Sequence, residues 1–171
     1  GQWVQIESAV AHGLSLIEAG ADILDIGGES TRPFSDPVDA KEEWRRVGEV
    51  VRILSRESDC PLSIDTSKAS VAKNALENGA EIINDVTGLE GDPEMIRIAR
   101  ETGAGICAMH MQGTPKTMQI NPTYENVVAD VYAYLEHQKN TFATAGIAPE
   151  KICLDPGIGF GKTHSHNIEL M

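Results

Sequence analysis

Several things are scarce in this chain, and each scarcity removes a class of protein. No apolar stretch approaches the roughly 20 residues that a membrane-spanning helix needs, and nothing has the form of a secretory leader. Basic residues number 14 against 26 acidic ones, for a formal net charge of -12, and no Lys/Arg cluster offsets the balance. A binder of the nucleic-acid backbone is therefore excluded, and an anionic ligand needs local help from backbone amides, a Lys or Arg, or a metal. Cysteine is down to Cys60, Cys107 and Cys153, far apart and without a CxxC spacing. That argues against zinc ligation or a nucleophilic thiol, and for buried or inert cysteines in a reducing, cytoplasmic compartment. Aromatics make up only 5% of a chain that is 41% hydrophobic, as in an ordinary globular α/β protein. Linkers and low-complexity tracts are absent too, so residues 1–171 read as one domain with room for a core.

What the chain does have is a repeat. Five short apolar runs each stop on a polar group: residues 21–26 before Gly27-Gly28-Glu29, 61–64 before Asp65, 81–83 before Asn84-Asp85, 105–109 before His110, and 151–154 before Asp155. Helical periodicity fills the gaps. Ile6, Val10, Leu14 and Ile17 precede a Gly20 stop; Val47, Val50, Val51 and Leu54 form a one-sided stripe; Val71, Ala72, Ala75 and Leu76 run to Asn78-Gly79. Asp92-Pro93 reads as an N-cap and first turn, and residues 124–145 as the longest helix, with Tyr124, Val127, Val128, Val131 and Leu135 on one side. A further helix opens near the C-terminus.

Helix-length connections between short runs imply parallel strands with right-handed crossovers. Two architectures satisfy that pattern: a five-stranded doubly wound sheet, or part of a (β/α)8 barrel, which needs about 250 residues. Periodicity does not separate them. The chain opens on a helix and stops as another begins, so the expectation is a domain truncated at both ends. In either fold, side chains leaving the carboxyl ends of the strands meet over one face.

Each strand-end group has a structural reading beside a functional one. Asp65 suits an N-cap, and Asn84-Asp85 and Asp155-Pro-Gly157 suit turns. Together, two carboxylates and an amide suit a heterocycle with alternating donors and acceptors, such as a 2-amino-4-oxo pyrimidine ring. Residues 157–163 miss a phosphate-binding P-loop because position 156 is Pro where that motif needs Gly. They read instead as a tight glycine turn at Gly157 that brings backbone to a ligand, with Phe160 as a stacking face. In the loop of residues 27–37, Arg32 is either a fork for phosphate or carboxylate, or a surface Arg paired with Glu29. Residues 111–119 form a lid or a flexible connection, His110 a hydrogen-bonding His at the core edge, and His164 and His166 no metal site.

These strings together resemble the dihydropteroate synthase family: residues 25–33 (DIGGESTRP), 63–68 (SIDTSK), 83–86 (INDV), 109–113 with 116–119 (MHMQG, KTMQ), and 154–162 (LDPGIGFGK), in family order over nearly the whole chain. The resemblance implies a (β/α)8 barrel of which this chain supplies about strands 2 to 6. It implies a transferase of folate biosynthesis, the sulfonamide target, that joins 4-aminobenzoate to a dihydropterin carrying a CH2-pyrophosphate. Asp65, Asn84 and Asp155 then hold the pterin, Met109, Val86 and Phe160 wall its pocket beside Gly157, and Thr31 and Arg32 belong to the loop closing over pyrophosphate and aminobenzoate. Asp65, Arg32 and Thr31 are the implied catalytic set. Mg2+ is the implied cofactor, its protein ligand expected from a first-strand Asn segment that this sequence lacks, with no metal ligand among these residues. Also lacking are the family's later Ser-Arg-Lys strand, its terminal Arg-x-His and its dimer helices, so a homodimer is implied for the whole protein and impaired catalysis for this piece. Position 34 is Phe where the commonest family pattern has Gly. A pterin-binding methyltransferase domain using methyltetrahydrofolate, or a non-catalytic pterin-binding fragment, is the alternative.

Overall fold

The computed structural model describes the backbone of residues 2–171 and the side chains from Gln5 onward. Helices and strands alternate: α1 Gln2–Glu18, β1 Leu24–Gly27, α2 Ala40–Glu57, β2 Leu62–Asp65, α3 Ala69–Glu77, β3 Ile82–Asp85, α4 Met95–Thr102, β4 Gly105–Met109, α5 Val127–Thr144, β5 Ile152–Asp155 and α6 His164–Leu170, with a 3-10 turn at Pro149–Lys151.

Strand order decides the architecture that periodicity left open. All neighbours are parallel and the order is β1-β2-β3-β4-β5. A doubly wound sheet reverses direction at a switch point, and this one never does. Right-handed crossovers that always step the same way lay every helix on one face, which is how a barrel wall is wound. The helices accordingly pack side by side, α1 on α2, α2 on α3 and α3 on α4.

Two apolar clusters sit between sheet and helices. One joins Val47, Val51 and Leu54 of α2 to Leu62, Ile64, Val71 and Ile6; the other joins Ile83, Met95, Ile98, Ile106 and Phe142. The α2 stripe is thus the one its periodicity predicts. Two helix starts differ from expectation. α5 begins at Val127, capped by the Asn126 side chain, and Tyr124 lies outside it, donating its hydroxyl to Gly161 O (2.7 Å). Val128 is exposed, and the buried face is Val127, Val131, Gln138 and Phe142. Likewise α4 starts at Met95; Asp92 turns the chain into it, its Oδ1 accepting from Glu94 N (3.0 Å), while its Oδ2 accepts from Ala69 N of α3 (3.0 Å). A hydrogen bond across 23 residues leaves no local signature.

Phe34 has φ +65°, the left-handed conformation in which a Cβ is strained. Its N–H donates to Pro115 O (3.1 Å) and the residue is 66% exposed, so little burial compensates. Phe34→Gly is expected to raise the melting temperature by roughly 1–3 °C in a thermal melt, strain relief slightly outweighing the added chain entropy of Gly. A lowered melting temperature would show that the phenyl ring packs in solution.

Candidate functional site

Strand register sorts the inward side chains. Asp25 pairs with Ser63, Gly27 with Asp65, Asp65 with Asn84, Asn84 with Cys107, and Met109 with Asp155. With a period of two, these residues face away from the helices, while Leu24, Leu62, Ile64, Ile83, Ile106 and Ala108 are buried against them. The last inward positions are Gly27, Asp65, Asn84, Met109 and Asp155, one from each strand. The structure therefore sets the predicted carboxylates and amide along one rim. Asp65 and Asp155 stand three strand spacings apart, ~14 Å along a flat sheet. A ligand that touches both must cross Asn84 and Met109. Below the rim a trough of about 480 Å³ runs along the helix-free face, lined by Asp25, Ser63, Ile82, Asn84, Cys107 and Cys153.

Asn84 does not serve a turn. Its Nδ2 donates to Asp25 Oδ2 across the sheet (3.0 Å). The turn role falls to Asp85, which points to the helix side, is fully buried and accepts from Thr87 N (2.8 Å) and Thr87 Oγ1 (2.7 Å). Burial pushes the Asp85 carboxyl up to about 6. Asp65 is no N-cap either, since α3 begins four residues later. Burial, and then the charges of Asp25, Asp85, Glu43 and Glu29, push its carboxyl from 3.8 up to about 7. Because the folded value is raised, this stability is complete below the ordinary carboxylate range and is lost as pH rises through about 7. In circular-dichroism melts between about pH 5 and pH 8, Asp65→Asn is expected to lose stability less steeply than the parent chain. Equal slopes would mean that Asp65 ionises at its ordinary value.

Thr31 comes to Asp65 and Arg32 does not. Thr31, Val86, Asp65, Lys68 and Pro115 line a small cavity of about 50 Å³. The Arg32 side chain is exposed, and Glu29 is not its partner. Glu29 instead accepts from Lys68 Nζ (2.7 Å) and Val38 N (2.8 Å). Lys68 also reaches the fully buried Glu43 (2.5 Å), so a cation between two carboxylates ties the β1 loop to α2 and α3.

The 111–119 segment is docked through its middle and its C-terminal end. Pro115 O and Lys116 hold the β1 loop at Phe34 N and Asp36 (2.8 Å), and Gln119 Nε2 donates to Gly159 O (2.8 Å). The turn after β5 is close-packed: a Cβ on Gly157 (φ +68°) would overlap the His110 carbonyl, and Met109 lies 3.0 Å away. Gly157 N donates to Asp155 Oδ1 (2.7 Å), and Phe160 is half-buried beyond it. His110 is buried, and burial with the nearby Lys162 charge pulls it down to about 4.

Sequence reasoning left four polar residues unassigned: Asp25, Lys68, Glu43 and Lys162. Asp25 was detectable, since strand alternation puts it on the face of Asp65. The ion triad and the Lys162 contacts span loops far apart in sequence and leave no local pattern. The cysteines need correcting: Cys153 is exposed and Cys107 half-buried, because both face the trough rather than the helices. Cys107 is pushed up to about 12 by burial and by its neighbour Cys153, so an inert thiol is what the surroundings produce.

A one-directional parallel sheet with carboxylates and an amide at its strand ends defines the barrel-type α/β class. Comparison with known proteins narrows this. The sequence model of the pterin binding enzyme family matches residues 1–171, and the chain belongs to that family. Dihydropteroate synthase of Neisseria meningitidis serogroup C is 48% identical over 166 residues, covering 96% of this chain and 58% of the relative. That of Escherichia coli K12 is 47% identical, covering 95% and 57%. The Yersinia pestis dihydropteroate synthase, solved in complex with a sulfonamide drug, superposes with a TM-score of 0.93 at 43% identity, covering 96% of this chain and 60% of that one. The chain thus spans somewhat under two thirds of these relatives, and its five strands form the corresponding part of a (β/α)8 barrel.

Proposed function

We propose that this chain carries the pterin-binding part of a dihydropteroate synthase, a single barrel domain that condenses 6-hydroxymethyl-7,8-dihydropterin pyrophosphate with 4-aminobenzoate. The observation that carries the reading is the rim of Asp65, Asn84 and Asp155 with Met109 between them. Carboxylates accept from the 2-amino and ring N–H groups, and the amide donates and accepts at once. The shared name of the relatives favours this transfer over methyl transfer. Val86, Phe160 and Gly157 wall the ring, and Thr31 and Arg32 lie on the loop that would close over the pyrophosphate.

In this reading the C–O bond to pyrophosphate breaks first and the electron pair leaves with it. The arylamine nitrogen then attacks the pterin methylene cation and loses a proton. Asp65, pre-placed and half-buried, stabilises that cation in its ionised form without reorganisation, and the developing positive charge favours that form. Among the described residues no three His, Cys, Asp or Glu side chains group as a metal cage. The chemistry assigned to this chain rests on its own side chains. A homodimer, dependence on Mg2+ and a cytoplasmic location belong to the proposal for the whole protein; no helix among the described residues is long and apolar enough to cross a membrane.

Calorimetric titration with the dihydropterin pyrophosphate and Mg2+, beside a circular-dichroism melt, tests the reading. Saturable binding of one equivalent is expected. A cooperatively folded chain that binds none would remove the pterin assignment.

A further inference from the structure

Lys162 is a buried amine surrounded by neutral acceptors. Only 3% of the residue is exposed. Its Nζ lies 2.9 Å from Gly157 O, 3.0 Å from Phe160 O, 3.2 Å from His110 O and 3.1 Å from His110 Nδ1. Three hydrogens thus serve four acceptors drawn from two elements, the end of β4 and the turn after β5. Glycine at 157 and at 161, where a Cβ would stand 2.8 Å from Gln112 O, lets that turn lie flat on the β4 loop. The turn's other groups are tied as well: Gly159 N donates to Asn167 Oδ1 (2.8 Å), and Gly161 O accepts from Tyr124. Among the described residues, only Lys162 joins both ends of the turn to the His110 carbonyl. A cation spends its desolvation here on holding backbone rather than on pairing with a carboxylate.

We propose that Lys162 is a positioning residue for ring binding: caged by His110, Gly157 and Phe160, it fixes the turn, and through Gly157 N–H it fixes the direction of the Asp155 carboxylate. The inference rests on the pterin reading of the site. Six titratable groups face the cage. They are His110 just after β4, Asp155 on β5, Tyr124 before α5, Asp130 and Tyr134 on α5 and His166 on α6. Burial pulls the amine from 10.5 down to about 8, opposed by Asp155. On losing its proton it keeps two hydrogens for four acceptors, and the turn loosens.

The test titrates the full chain and Lys162→Met with 6-hydroxymethyl-7,8-dihydropterin pyrophosphate from about pH 7 to about pH 9.5, each with a melt. Lys162→Met is expected to bind about tenfold more weakly at pH 7, the loss of one charge-assisted hydrogen bond's worth of order. It is also expected to lack the alkaline weakening that the parent chain shows. Equal affinity, or the same alkaline slope in both proteins, overturns the inference while leaving the pterin site standing. If the parent chain binds no pterin, or the variant does not fold, hydrogen exchange at Gly159 and Phe160 of the parent decides, after correction for the intrinsic rate. Protection that falls above about pH 8 supports the cage, and constant protection overturns it.

Discussion

Asp155→Asn is expected to weaken binding of the dihydropterin pyrophosphate by about 100-fold or more, with no change in melting temperature. Oδ1 of Asp155 already accepts from Gly157 N at 2.7 Å, which leaves Oδ2 for a ligand. An amide at this position must keep its oxygen toward Gly157 N, because its NH2 cannot accept. It then presents the NH2 to the donor groups of the ring, donor against donor. The loss of one hydrogen bond to a charged group is worth about 1.5–3 kcal/mol, and a mismatched donor pair adds to that. Calorimetry of the two proteins at the same pH checks it. Unchanged affinity in a chain with an unchanged melt would mean that Asp155 serves its turn alone.

The second large effect is on stability. Lys68→Met is expected to cost about 3–5 kcal/mol, because it leaves the buried Glu43 charge without a partner. Glu43 has no exposed surface, and its Oε1 has no hydrogen-bond partner among the described residues, so Lys68 is its only compensation. Lys68 itself is 23% exposed, which favours the lower end of the range. The melting temperature should fall by about 10 °C for a chain of this size. Glu43→Gln alone should cost less, since Lys68 keeps Glu29. The double variant should recover at least half of the Lys68→Met loss. Thermal melts of the four proteins form a cycle that isolates the pair. A loss below about 1 kcal/mol in Lys68→Met would show that water reaches Glu43. The same substitution frees Glu29, and with it the loop that carries Thr31.

Local signals are strong in this sequence because strands and helices announce themselves by different periods. The five apolar runs that end on polar groups appear as β1 to β5, each within a few residues. The α2 stripe, the Gly20 stop and the Asn78-Gly79 helix end were all readable, since each depends on residues within one turn of one another. Motif strings in family order point to the pterin binding family from the sequence alone. Boundaries failed where a distant partner intervened. Tyr124 left α5 because Gly161 O offers a hydrogen bond, and Asp92 divides its carboxylate between Glu94 N and the distant Ala69 N.

By itself, then, the sequence determined the element types, the parallel connections, the absence of long apolar spans and the identity of the residues at the strand ends. Those follow from side-chain period and composition, which are properties of neighbours along the chain. Tertiary structure alone decided that the sheet winds in one direction and that Asp65, Asn84 and Asp155 share a rim. It also decided that Asp85 turns to the core, that Lys68 bridges Glu29 and Glu43, and that Lys162 is caged by carbonyls. Apart from the Asp85 turn, these rest on contacts between segments about 20 to 60 residues apart, where register and crossover direction, rather than local pattern, choose the partner.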